Sequence, residues 1–160
     1  MIQGLLEGAE NVIANAPHTW LMTLSESGVN ARPMGRVIPS PSQTDWRLCF
    51  LADARSRKVR DISFARQVRL IFEHDDDAFL SLAGAAEVIT DTVVIVRRWL
   101  PAYDRIFPTA DDKANAVFID IRAEELRLWI RGLTPEPFGV RSLTLRRPLD
   151  GDWHLDKEPP

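Results

Sequence analysis

The feature that most limits how this chain can fold is a succession of short strand-like runs, each closed by a turn signal before it grows long. Residues 19–25 and 29–38 flank Glu26-Ser27-Gly28, the pattern of a hairpin whose glycine supplies a positive φ. Residues 46–52 make a third strand after a Pro/Ser/Gln/Thr loop at 39–45. Residues 68–73 and 79–89 read as strands separated by the acidic turn His74-Asp75-Asp76-Asp77, and 116–121 and 126–131 as two more. A last hairpin is expected from 140–147 and 153–155, around Asp150-Gly151. Helical spacing is confined to fewer places. Ile2, Leu5, Leu6, Ala9, Val12 and Ile13 mark an amphipathic helix over 2–14, ended by Pro17. Residues 56–66 carry Val59, Ile62 and Phe64 on a second helix. A third starts at Asp91 as N-cap and runs to Leu100, where Pro101 interrupts it and a short helical piece continues to Phe107. Six or more short strands with two or three helices favour a mostly β fold, a small antiparallel barrel with helical additions.

Composition narrows the class of protein. The 160 residues suit a single domain over 1–160, and 45% hydrophobic content is enough for a sizeable core. Twenty Lys+Arg stand against 23 Asp+Glu, so the acidic balance argues against a nucleic-acid partner. One cysteine, Cys49, excludes an intrachain disulfide framework, and three histidines give the usual metal-site patterns nothing to work with. No apolar run is long enough for a membrane span, and the N-terminus lacks the layout of a signal peptide. A cytoplasmic location is therefore expected.

The segment richest in chemistry is Ala54-Arg55-Ser56-Arg57-Lys58-Val59-Arg60, with four cations in six residues at a helix start. Cations are unfavourable against the positive end of a helix dipole, so the placement invites a reason. Free N–H groups, the dipole and basic side chains together form an anion site, with Ser56 as N-cap or extra donor. The competing reading is a solvated basic face paired with Asp53 and Asp61. In Asn30-Ala31-Arg32-Pro33-Met34-Gly35, Pro33 belongs at a sheet edge or bulge, and Gly35 permits close approach to the backbone. Arg32 beside that break can aim a guanidinium at a phosphate or an electron-rich ring, or can simply be exposed. The five tryptophans are expected in the core or a subunit interface. Asp75-Asp76-Asp77 and Asp111-Asp112 read as solvated turns rather than carboxylate metal sites, His18 and His154 as structural, and Cys49 as an inert buried thiol. No Gly-rich phosphate loop and no Gly-x-Ser-x-Gly elbow occur, so any chemistry falls to a cofactor.

Taken in order, these segments resemble the pyridoxamine 5'-phosphate oxidase-like flavoproteins. The resemblance rests on Ala31-Arg32-Pro33-Met34-Gly35, Phe50-Leu51-Ala52, and Ser56-Arg57-Lys58-Val59-Arg60-Asp61-Ile62, followed by 68–72 and 80–88. Trp99, Pro101-Ala102-Tyr103, Phe107-Pro108, Glu124-Glu125 and Trp129 are similar to the branch called general stress protein 26. The resemblance covers residues 10–132. It implies an FMN-binding split barrel, an antiparallel Greek-key six-stranded barrel with flanking helices, working as a homodimer with flavin at the interface. It implies that Arg32, Pro33, Met34 and Gly35 line the flavin, and that Leu51 and Ala52 pass along the ring through backbone groups. Ser56, Arg57 and Lys58 would bind the FMN phosphate, and Trp129 would approach the ring. Ala52 replaces a threonine common in the oxidases, and Phe79 falls near an FMN-contacting glutamine. The Arg-Leu-His-Asp-Arg tail that holds substrate phosphate is missing, since the region reads Phe138-Gly139-Val140-Arg141-Ser142. Vitamin B6 oxidation is accordingly not expected.

The implied function is a small FMN-dependent oxidoreductase, with a reduced nicotinamide as a possible electron donor. Three alternatives stay open: the deazaflavin F420 on the same barrel, a flavin- or haem-binding stress protein without turnover, and a structural dimer that has lost its cofactor.

Overall fold

The computed structural model describes residues 1–35, 46–149 and 151–157. The loop expected at 39–45, the far end of the strand expected to reach 38, and Asp150 of the last turn lie outside the described residues. Helix α1 (Ile2–Asn15) buries the stripe Leu5, Ala9, Val12 and Ile13, and ends just before Pro17. Strands β1 (Thr19–Ser25) and β2 (Gly28–Met34) form the expected hairpin, with Ser25 opposite Gly28. Gly28 sits at φ 120, a conformation that L side chains rarely adopt. Strand β3 (Arg47–Asp53) is followed by α2 (Arg57–Phe64), then β4 (Gln67–His74) and β5 (Ala78–Ile89). Helix α3 (Thr92–Arg98) starts at Asp91, whose carboxylate accepts from the Val93 N–H as an N-cap. A 3-10 turn (Pro101–Arg105) and α4 (Ala110–Ala114) lead into β6 (Ala116–Ile130), and β7 (Leu143–Arg146) pairs with β8 (His154–Leu155).

All strand pairs are antiparallel, and six strands follow the path β2-β1-β4-β5-β6-β3. Chain order and spatial order differ at β3, which crosses to the far end and pairs with the first half of β6. No ladder joins β2 to β3 among the described residues, so the barrel is split rather than closed. The second half of β6 carries β7 and then β8, which raises the sheet to eight strands. Leu21, Leu48, Leu70, Leu80, Leu82, Ile119, Ile121, Leu126 and Leu128 are fully buried and fill the barrel from five of the strands. Each contributes roughly 1.5–3 kcal/mol of apolar burial.

Two elements differ from the sequence expectation. The strands expected at 116–121 and 126–131 are one continuous strand. Arg122-Ala123-Glu124-Glu125 reads as a polar break, yet Ala123 is fully buried, and Glu125 is buried against Arg69 and Arg146. Ion pairing therefore hides the strand's alternation. A bulge at Ala83/Gly84 lets β5 track β6 past this point, and a Cβ on Gly84 would collide with the Arg122 carbonyl. The other difference is α4, which stands where Asp111-Asp112 suggested a turn. Its signal is a capping box in which Thr109 and Asp112 satisfy each other's backbone N–H groups. Among the described residues no helix is long and apolar enough to cross a membrane.

The aromatic residues of Trp99-Leu100-Pro101-Ala102-Tyr103 and Phe107 form one cluster. Trp99 meets Tyr103 and Phe107 edge-on at 5.5 and 6.2 Å, and Tyr103 packs on Phe118 of β6 at 6.0 Å. Trp46 is buried against Trp153 at 5.7 Å, which ties the C-terminal hairpin to the start of β3.

Candidate anion and cofactor site

Strands β2 and β3 end the six-strand path, and each keeps one edge without a ladder partner among the described residues. Pro33 lies on the β2 edge opposite Trp20, where a missing N–H costs nothing. Met34 is half-buried against the core. Gly35 is exposed, and nothing lies within 4 Å of where a Cβ would stand. Space is open there, with or without a glycine. On β3, Ala52 is buried and Leu51 half-buried, so the β3 backbone edge rather than the Ala52 side chain is available to a ligand.

Arg32 is held by a network that sequence reasoning missed. Its Nη1 donates to Thr23 Oγ1 at 2.7 Å and to the Leu21 carbonyl at 3.3 Å, and Nη2 meets Asp61 Oδ2 at 3.3 Å. The same Asp61 oxygen accepts from the Thr23 hydroxyl at 2.7 Å and from Asn30 Nδ2 at 3.0 Å. Asp61 is only 5% exposed. Burial pushes its pKa up, but the hydrogen bonds from Asn30 and Thr23, with the Arg32 charge, outweigh burial and hold it below the usual carboxylate range. This network staples the β1–β2 hairpin to α2 and fixes the Arg32 guanidinium.

The four cations of 55–60 divide sharply. Arg55 is consumed by Asp53, with Nε and Nη2 at 3.0 and 2.8 Å and its backbone N–H at 2.8 Å from the carboxylate. The Arg55 bonds lower the Asp53 pKa to about 2. Arg57 and Arg60 have no carboxylate or hydrogen-bond partner among the described residues, and Lys58 feels the Asp53 charge without forming an ion pair or hydrogen bond. Of the pairing with Asp53 and Asp61 that would neutralise the whole basic face, only the Asp53–Arg55 ion pair forms; Asp61 belongs to Arg32, and Asp53 reaches Lys58 through its charge alone. Lys58 is half-buried, and burial, helped by the Arg32 charge, pushes its ammonium pKa down. Ser56 occupies the N-cap position of α2, but its hydroxyl does not cap the helix. Its Oγ is buried with no partner.

A buried hydroxyl without a partner, a half-buried ammonium and an exposed guanidinium thus meet at the first turn of an eight-residue helix that has no acid in that turn. A lone buried hydroxyl and a desolvated ammonium are each unfavourable, and a ligand oxygen carrying negative charge relieves both. The residues fit a phosphate.

Trp129 does not join this group within one chain. It lines a separate cleft of about 300 Å3 on β5 and β6, with Phe79, Arg69 and Arg127 among its walls. Phe79 stacks on Phe138 at 6.3 Å, and the Arg131 guanidinium lies 4.4 Å from the Phe138 ring centre. The tail after β6 therefore buttresses this aromatic wall, and Arg141 hydrogen-bonds the Glu136 carbonyl at 3.3 Å. Cys49 is half-buried, with its thiol pushed up to about 11 by burial and by the neighbouring Asp120 charge.

The family model for pyridoxamine 5'-phosphate oxidase-like proteins matches residues 8–134. No protein of curated function matches the chain. Among solved structures, the chain is similar to a Clostridium acetobutylicum protein related to general stress protein 26, with TM-score 0.72 and 16% identity over 90% of this chain and 95% of the other. It is similar to a pyridoxamine 5'-phosphate oxidase-related, FMN binding protein of Nostoc punctiforme, with TM-score 0.70 and 14% identity over 99% and 95%. An F420 reductase superposes with TM-score 0.56 and 20% identity over 73% and 94%. At these identities the likeness is one of fold.

Proposed function

This chain belongs to the pyridoxamine 5'-phosphate oxidase-like family, and from that premise we propose that it is an FMN-binding flavoprotein of the general stress protein 26 type, acting as a small oxidoreductase. The observation that carries the reading is the Ser56 hydroxyl, buried without a partner beside the unpaired Lys58 and Arg57. Ser56 Oγ donates to a phosphate oxygen, while Lys58 and Arg57 neutralise its charge. Arg32, clamped by Asp61 and Thr23, holds a fixed positive charge on β2; in this reading the ring would lie along Pro33, Met34 and Gly35 of β2 and the backbone of Leu51 and Ala52 on β3. When bound, the flavin ring supplies the electron chemistry; the protein anchors, orients and tunes it. A reduced nicotinamide is the electron donor in this reading. Vitamin B6 is not the substrate, because the Arg and His residues of the oxidase tail are missing around Arg141.

The working unit in this reading is a homodimer. Trp20, Leu24 and Val29 are 46%, 42% and 64% exposed on the outer face of the β1–β2 hairpin, where Leu24 faces Val29 across the ladder. Such a strip is a reason for a second copy to pack there and enclose the flavin at the interface, with Trp129 approaching the ring. An alternative cofactor, F420, is favoured by the superposition on the F420 reductase. The test is an absorption spectrum of the purified protein, followed by FMN titration of the wild type and Lys58→Ala. Retained flavin absorbance with a weakened variant supports the reading. A deazaflavin spectrum moves it to F420, and no binding of either refutes it.

A further inference from the structure

Asp61 stands in an unexpected place for a carboxylate. It lies on α2 three residues after Lys58, so the two share a helix face one turn apart. It is buried and held in its charged form. A negative charge about one helical turn from a phosphate anchor repels the ligand that the anchor serves. Its presence there calls for a compensating role.

The hydrogen bonds supply one. Thr23, Asn30 and Arg32 all donate to the same oxygen, Asp61 Oδ2, at 2.7, 3.0 and 3.3 Å. Arg32 is gripped from a second side, since its Nη1 donates to Thr23 Oγ1 at 2.7 Å and to the Leu21 carbonyl at 3.3 Å. Both ends of the guanidinium fork are therefore fixed, yet the side chain stays 21% exposed and open to a ligand. Its charge also reaches the anchor, where it adds to burial in pushing the Lys58 ammonium pKa down. Two cations repel each other across this corner, and a phosphate oxygen between them would turn that repulsion into shared attraction.

We propose that Asp61 is a positioning residue of the phosphate site, acting through Arg32 by holding its guanidinium beside Lys58 as a further cation on the cofactor phosphate. The inference rests on the FMN reading and adds to it a carboxylate whose own charge opposes the ligand. The opposed signs separate orientation from simple electrostatics. If charge alone mattered, removing Asp61 would tighten FMN binding, with or without Arg32. If Asp61 orients Arg32, removing it weakens FMN binding, and only where Arg32 is present.

Fluorescence titrations of the full chain with FMN, in wild type, Asp61→Ala, Arg32→Ala and the double variant, test it, with circular dichroism reporting that each is folded. Asp61→Ala is expected to weaken FMN about tenfold, and the double variant to stay within about twofold of Arg32→Ala. Asp61→Asn, which keeps the shape and one acceptor oxygen, runs through the same cycle and carries the test if the alanine variant does not fold. A weakening of about threefold with Arg32 present, and none without it, is the expected result there. Tighter FMN binding on loss of the Asp61 charge, or the same change in both backgrounds, overturns the proposal. Absence of FMN binding by the wild type refutes the flavin reading, and this proposal with it, so the two failures are distinct.

Discussion

Replacing Asp61 by alanine removes one buried carboxylate and three hydrogen bonds at once. The Thr23 hydroxyl donates to it at 2.7 Å, Asn30 at 3.0 Å and Arg32 at 3.3 Å. Thr23 is 1% exposed and still accepts from Arg32, but its own proton is left without an acceptor. A stranded buried donor costs about 1–3 kcal/mol. Asn30 and Arg32 are half-buried, so water recovers part of their loss. The shorter bonds to a charged acceptor are worth about 1.5–3 kcal/mol each before that recovery. Breaking one side of a buried pair costs about 3–5 kcal/mol in comparable cases, and the total here falls in that range. Urea unfolding followed by tryptophan fluorescence measures it. A loss below about 1 kcal/mol refutes the claim that Asp61 staples the hairpin to α2. The acid limb provides a second check. The Asp61 pKa is lower in the folded state than in the unfolded chain, so its stabilisation is complete above the unfolded carboxylate value and disappears as pH falls through the folded one. The wild type should therefore lose stability on acidification more steeply than Asp61→Ala, and parallel acid limbs contradict the network.

Three further outcomes follow from other parts of the structure. With its thiol at about 11, Cys49 should alkylate slowly at pH 8; only about one thiol in a thousand is ionised there, and iodoacetamide rates matching a free cysteine would contradict that environment. Gly84→Ala should lower stability by about 2–4 kcal/mol, since the new methyl meets the Arg122 backbone rather than a movable side chain; an unchanged melting temperature would show that the bulge adapts. Val29→Lys should shift the sedimentation of the protein from dimer to monomer at micromolar concentration while the monomer stays folded, because Val29 is 64% exposed and carries no internal packing; an unaltered dimer would place the interface elsewhere.

Much of the fold was legible because its strands are short and alternate cleanly. The hairpin at Glu26-Ser27-Gly28, the Asp91 cap and the helix ended by Pro17 all stand where local chemistry put them. Legibility failed where tertiary pairing buried charge. Glu125 looks like a solvent-facing break, but two arginines make it part of a strand, and no spacing rule foresees partners that come from β4 and β7. The anion site was half legible. Clustered cations at a helix start pointed to α2, but which cations are already paired depends on β2, whose Arg32 takes Asp61 away from the helix. Trp129, attached to the site by family resemblance, lies in another cleft of the same chain.

The central claim is that Ser56, Arg57 and Lys58 form the phosphate anchor of a flavin site. The most direct test is equilibrium titration of the cofactor-stripped protein with FMN, in wild type and in Lys58→Ala and Arg57→Ala. Micromolar or tighter binding, weakened about ten- to a hundredfold in each variant, is the predicted result. FMN affinity unchanged in the double variant contradicts the account.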